Sequence, residues 1–144
     1  MKKTLRALLM IAAVMGAISF ADIARADDSL FQALGGKEGL TQIIADFKAS
    51  YLNDERIKDQ FDNINLDRLS ERFYFQFCEL TGGPCHYPGR DMYHSHKGLA
   101  LNQAQFNAVV EDLQFALDKN KIPFRTQNKF IALLAPMERD IVTR

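Results

Sequence analysis

The chain has 144 residues, 47% of them hydrophobic and 25% charged, with a formal net charge of zero. That length builds one domain around a single core. The balanced charge removes the electrostatic case for a nucleic-acid partner, and no repeat or low-complexity tract divides the chain.

The first 26 residues read as a secretory signal peptide rather than as part of the fold. Lys2, Lys3 and Arg6 form a basic start, Leu8–Phe20 is an apolar run, and Ala24-Arg25-Ala26 is a small-x-small cleavage signature. Ser19-Phe20-Ala21 offers a second cleavage point. The run is shorter than the roughly 20 residues of a membrane-spanning helix, so an uncleaved anchor is the lesser reading. No Cys near the cleavage site supports a lipid anchor. Residues 27–144 are then the mature domain, mildly acidic and with no membrane segment. The address this predicts is the bacterial periplasm. That compartment is oxidising. Cys78 and Cys85 are seven positions apart and can bridge a helix end to the loop after it, or remain two buried thiols.

Asp27–Leu34 suffices for one helical turn, and Gly35-Gly36 stops it. Leu40, Ile43, Ile44, Phe47 and Tyr51 recur at helical spacing, so about Lys37–Leu52 is an amphipathic helix. Lys48 stands at the edge of that stripe, where a lysine ordinarily lays its stem on the core and its ammonium in water. Asn53–Gln60 is polar and turn-forming, with Phe61 an isolated aromatic after it. Asn65 or Asp67 can cap the next helix. Leu66, Leu69, Phe73, Phe77 and Leu80 form its stripe, and Tyr74 and Phe75 widen it until the run FYFQF is aromatic nearly all round. Such a run predicts burial on more than one side, as plain core or as the lining of a flat apolar slot. Gly82-Gly83-Pro84 ends this helix.

Thr81–Leu99 holds all three histidines, His86, His94 and His96. A loop-rich stretch that concentrates imidazoles between two helices is where a ligand or metal site is expected. After it, Asn102 with Gln105 has capping-box spacing. Phe106, Val109, Val110, Leu113 and Leu117 make a stripe to about Lys119. Phe124–Val142 is the last helix, bent by Pro136. No segment alternates as a strand. The class is all-α, with an early and a late helical hairpin joined by the histidine stretch.

Two chemistries follow from the imidazoles. On a helix, His94 and His96 are roughly 200° apart and face opposite ways. If the segment is extended, both share a face and could chelate zinc or copper with His86 and Cys85. Alternatively, one imidazole faces an apolar slot lined by Phe rings, which is what a haem requires. Arg72 and Lys97 are the cations that could meet its propionates.

In chain order, Leu30-Phe31-x-x-Leu34-Gly35-Gly36, Phe47 and Phe61, Gly82-Gly83-Pro84, Tyr87-x-Gly89-Arg90-Asp91-Met92, His96-x-Gly98-Leu99, Phe106-x-x-Val109-Val110 and Ala135-Pro136-Met137 resemble a group I truncated haemoglobin. The resemblance runs through nearly the whole of residues 27–144. It implies a two-over-two helical sandwich enclosing haem b. His96 is then the proximal metal ligand, and Phe61, Leu69, Arg72, Phe73, Phe77, Met92 and Lys48 are the cofactor's neighbours. The partners implied are the diatomic ligands dioxygen, nitric oxide and carbon monoxide. The activity is ligand binding of the oxygen-carrier type. The alternative is nitric oxide detoxification or peroxidase-like turnover drawing on an external electron donor.

Two positions depart from the resemblance. Where such globins usually carry a tyrosine after the residue matching Phe47, this chain has Lys48. Where they often carry a distal glutamine, it has Phe73. The usual hydrogen-bond donors to a ligand are therefore missing. Lys48 could donate in their place or bind iron as a sixth ligand, and Tyr51 or Tyr74 could restore a hydroxyl.

Overall fold

The computed structural model describes residues 30–143. The proposed signal peptide and the first residues of the mature domain lie outside them. After a helical turn at 30–33, the elements are α1 (Gly36–Tyr51), a 3-10 turn (Lys58–Phe61), α2 (Leu66–Leu80), α3 (Met92–His96), α4 (Gln103–Lys119), α5 (Phe124–Leu134), a second 3-10 turn (Ala135–Met137) and α6 (Glu138–Ile141). No strand occurs among the described residues.

The ends of these helices follow from local chemistry. Gly35 precedes α1 in the left-handed region at φ 89°, which a side chain would strain. A Cβ on Gly39 would run into the Leu34 carbonyl, so only glycine lets the first turn fold back against α1. Asn65 caps α2, its side chain accepting from the Arg68 amide at 2.9 Å. Asn102 and Gln105 form the reciprocal capping box of α4. Pro136 removes an amide donor, and the expected single last helix breaks there into α5, a 3-10 turn and α6.

α1 packs against both α2 and α4, α5 returns against α4, and the short α3 docks on α6. This is an early and a late helical pair laid across one another. Leu34, Leu40, Ile43, Phe47, Tyr51, Leu117 and Phe130 are almost wholly buried between them, each contributing about 1.5–3 kcal/mol of burial. Ala108 and Ala116 let α4 approach closely. A polar clamp adds direction: Asp46 on α1 takes Lys119 at 2.7 Å and the Asn120 amide at 2.8 Å. Lys119, Gln42 and Asn120 together hold the Asp46 carboxyl down to about 2, below its ordinary value.

The aromatic run of α2 is less enclosed than its composition predicts. Only Phe77 and Cys78 are buried, while Phe73, Tyr74 and Phe75 stay half-buried. A helix flanked on one side by α1 cannot hide all its faces. Among the described residues, no helix is long and apolar enough to cross a membrane.

Candidate functional site

A continuous file of rings lies between α1, α2 and α5. Phe47 meets Phe73 at 5.3 Å between centroids, Phe73 stacks on Phe77 at 5.5 Å, and Phe77 meets Phe130 edge-on at 4.9 Å. Tyr51 stacks on Phe61 at 4.2 Å, which brings the 3-10 turn into the file. Phe61, Leu69 and Phe73 are half-buried and form its open side.

α3 faces this wall. Asp91 caps it, accepting from the His94 amide at 2.8 Å. That same carboxylate takes the His94 ring at 2.8 Å, and the His94 amide and ring keep the Asp91 carboxyl below its ordinary range. His86 pairs with Glu79 at 2.7 Å and is exposed. His96, on the other side of the helix, is half-buried, with Nδ1 2.8 Å from the Met92 carbonyl. A carbonyl only accepts, so Nδ1 carries a proton, and in the neutral ring Nε2 keeps the lone pair. This is the tautomer of a metal-binding imidazole with its second bond satisfied.

The zinc or copper arrangement is not formed. Cys85 is bonded to Cys78, with Cα atoms 5.7 Å apart. His86 and His94 are each spent on a neighbouring carboxylate. Among the described residues, no three His, Cys, Asp or Glu side chains converge. The short helical turn at Met92–His96 separates His94 from His96, which excludes the extended geometry that chelation needs.

The other residues singled out above are distributed as follows. Phe61, Leu69, Phe73 and Phe77 belong to the aromatic wall. Arg72 is half-buried on α2 and forms no ion pair among the described residues. Lys97 is exposed, its ammonium 5.9 Å from the Tyr93 ring centre. Lys48 turns its ammonium to Asp67 at 3.2 Å, in an outer groove between α1 and α2 that Tyr74 and Phe75 also line. Gln76 was not anticipated. Its amide nitrogen sits 3.4 Å from the Met92 sulfur and 3.8 Å from that of Met137, joining α2 to α3 and to the second 3-10 turn. The visible signal was that Gln76 is the one polar residue in FYFQF.

A half-buried imidazole whose Nε2 has no partner among the described residues, the apolar rings of α1, α2 and α5, and Arg72 without an ion pair there are residue types that fit a haem.

The described residues match known proteins throughout. The bacterial-like globin family matches residues 29–143. The group 1 truncated hemoglobin of Tetrahymena pyriformis is 27% identical over 79% of this chain and 94% of its own. The group 1 truncated hemoglobin GlbN of Mycolicibacterium paratuberculosis is 29% identical over 80% of this chain and 85% of its own. The crystal structure of the Tetrahymena pyriformis protein in its Fe(III) form superposes with a TM-score of 0.77, covering 80% of this chain and 98% of that one. The 2/2 hemoglobin of Synechococcus, with covalently attached heme, shares the fold at a TM-score of 0.75 and 21% identity. A family match over every described residue, an all-helical fold shared with the truncated haemoglobin structures and relatives along most of the chain lead to one assignment: the chain belongs to the bacterial-like globin family and, within it, to the group 1 truncated haemoglobins.

Proposed function

We propose that this protein is a periplasmic haem b protein that binds a diatomic ligand reversibly, with His96 as the proximal iron ligand. The observation that carries the reading is the His96–Met92 hydrogen bond, which engages Nδ1 and leaves Nε2 without a partner among the described residues. Membership of the truncated haemoglobins supports a haem cofactor and diatomic ligands. Haem supplies the coordination position at which a diatomic ligand binds.

The chain's own groups do the rest. Phe61, Leu69, Phe73 and Phe77 would give a bound haem a hydrocarbon surface that excludes water. Met92, whose carbonyl holds the His96 ring, would border the cofactor, and Arg72 could pair with a propionate. The apolar wall disfavours charge separation, which favours neutral ligands over anions. The address rests on the sequence alone, on Lys2, Lys3, the run Leu8–Phe20 and Ala24-Arg25-Ala26.

The test is direct. The purified protein with one equivalent of haemin develops a Soret band that, after reduction, shifts on adding carbon monoxide. A protein that stays colourless contradicts the haem reading. Expressed in a Gram-negative host, the protein is released with the periplasmic fraction and starts at Asp27. A full-length cytoplasmic product contradicts the address.

A further inference from the structure

The stretch that carries His96 sits outside the core. No residue from 82 to 100 is buried. Its backbone reaches α2 only at its start, where the Gly82 amide donates to the Glu79 carbonyl at 3.2 Å and the Gly83 amide to the Cys78 carbonyl at 2.7 Å. Further on, the backbone hydrogen bonds outside α3 stay within the stretch: Cys85 donates to Gly83, Ser95 to Asp91 and Leu99 to His96. The cap of α3 is equally local, since Asp91 serves His94. The apolar burial that fixes α1 and α4 therefore does little to fix where this stretch lies.

Its noncovalent side-chain links to α2 are weak. His86 meets Glu79 at 2.7 Å, but the histidine side chain is 89% exposed, and surface pairs hold little. The Gln76 amide meets the Met92 sulfur at 3.4 Å, and a thioether is a weak acceptor. The Tyr74 hydroxyl lies 3.9 Å from the Cys85 sulfur. The strong link is the Cys78–Cys85 bond. Cys78 is wholly buried on α2, so the bond fastens a surface stretch to the core. At the far end, α3 packs on α6, and the Thr143 amide donates to the Leu101 carbonyl at 2.9 Å. His96 lies between these two anchors.

We propose that the Cys78–Cys85 bond is a redox strap on the haem site: closed, it holds the His96 stretch in place, and reduced, it lets that stretch loosen and haem leave. This rests on the haem reading above. The reductant is a dithiol, such as a thioredoxin-like protein. Its thiolate attacks the sulfur of Cys85, the partly exposed partner, and the Cys78 sulfur leaves. The second thiol of the reductant then breaks the mixed disulfide and releases Cys85. Each cysteine takes one of the two protons that the reductant gives up. Two electrons pass to the protein, and the reductant departs as a disulfide. A histidine no longer held in position binds its metal at a higher entropic cost.

Transfer of haemin to excess apomyoglobin measures how fast haem leaves. The disulfide-bonded protein is compared with the same protein reduced by dithiothreitol and freed of it without air, and with the Cys78→Ser, Cys85→Ser double variant. Both open forms lose haem roughly 10-fold faster, a part of what closing a short loop contributes. Reoxidation restores the slow rate in the unaltered protein alone. In the haem-free protein, brief trypsin treatment of the open forms cuts first at the exposed Arg90 and Lys97, and sooner than in the bonded form. Equal haem loss from bonded and open forms overturns the proposal and leaves the haem reading standing. First cuts at Lys48 and Lys119, on α1 and α4, also overturn it, because the bond then supports the whole fold and not this stretch. Absence of a Soret band in the bonded protein overturns the haem reading, and with it the haem half of the proposal, while the trypsin comparison still decides whether the bond holds the stretch.

Discussion

His96 Nδ1 lies 2.8 Å from the Met92 carbonyl oxygen, and this one bond decides which ring nitrogen is free to bind metal. His94, two residues away, spends its own Nδ1 on Asp91 at the same distance. The two imidazoles are equivalent in composition and opposite in use.

Replacing His96 by alanine is therefore expected to abolish stoichiometric haemin uptake, while His86→Ala and His94→Ala each retain it. A haemin titration followed at the Soret band checks this. Equal loss in His94→Ala would mean that the free Nε2 of His96 is not the anchor.

Lys48 and Asp67 form an exposed pair, with the aspartate side chain 99% accessible. Such pairs are worth about 0–1 kcal/mol. Lys48→Ala should shift stability by no more than that and leave the ferric and ferrous absorption spectra unchanged. A change of coordination in the variant would show that the ammonium leaves Asp67 for the iron.

The Cys78–Cys85 bond ties the end of α2 to the segment that leads into α3. Closing so short a loop stabilises by about 2–3 kcal/mol through the unfolded chain. Cys85 is partly exposed and Cys78 is not, so a dithiol attacks at Cys85. Thermal unfolding with and without dithiothreitol should differ accordingly, and the Cys78→Ser, Cys85→Ser double variant should match the reduced protein and ignore reductant.

Asp112 is buried on α4 and accepts from the Ser50 hydroxyl at 2.5 Å. Desolvation raises its carboxyl, the Asp54 and Glu111 carboxylates add to that, and Ser50 and Arg56 oppose it. The folded state thus keeps the proton to higher pH than the unfolded chain. This group's contribution is complete below the unfolded value of 3.8 and is lost as pH rises through the folded value. Asp112→Asn should unfold at a higher temperature than the unaltered protein at pH 7, with the difference closing towards pH 3.

Asp46 has the opposite sign. Held down to about 2 by Lys119, Gln42 and Asn120, it stabilises above 3.8 and loses that contribution as pH falls towards 2. Asp46→Ala leaves the Asn120 amide with the Ala116 carbonyl alone and returns the exposed Lys119 ammonium to water, at a cost of about 1 kcal/mol at pH 7. Urea unfolding between pH 2 and pH 7 should show a shallower acid decline in the variant.

Much of this molecule is local and so is legible in order along the chain. Asn65 and Asn102 mark helix starts because their side chains satisfy amides within three residues. Gly82 and Pro84 stop α2, and Pro136 interrupts the last helix, because backbone freedom and a missing donor act where they stand. The stripes Leu40–Tyr51 and Phe106–Leu117 are periodic, and a helix converts period into a face whatever it packs against. The bonds of Lys48, Gln76 and Tyr51 are long-range. Whether an ammonium at a stripe's edge turns inward or to Asp67, whether an amide meets two sulfurs more than a dozen residues away, and whether a hydroxyl ends without a partner depend on which elements meet. Composition and periodicity determined an all-helical chain with its three histidines in one loop-rich stretch between the helical hairpins. Only the packing of α1 against α2 and the helical turn of α3 decided that His94 and His96 part and where Lys48, Gln76 and Tyr51 find or lack partners, because burial and hydrogen-bond supply are properties of neighbours in space.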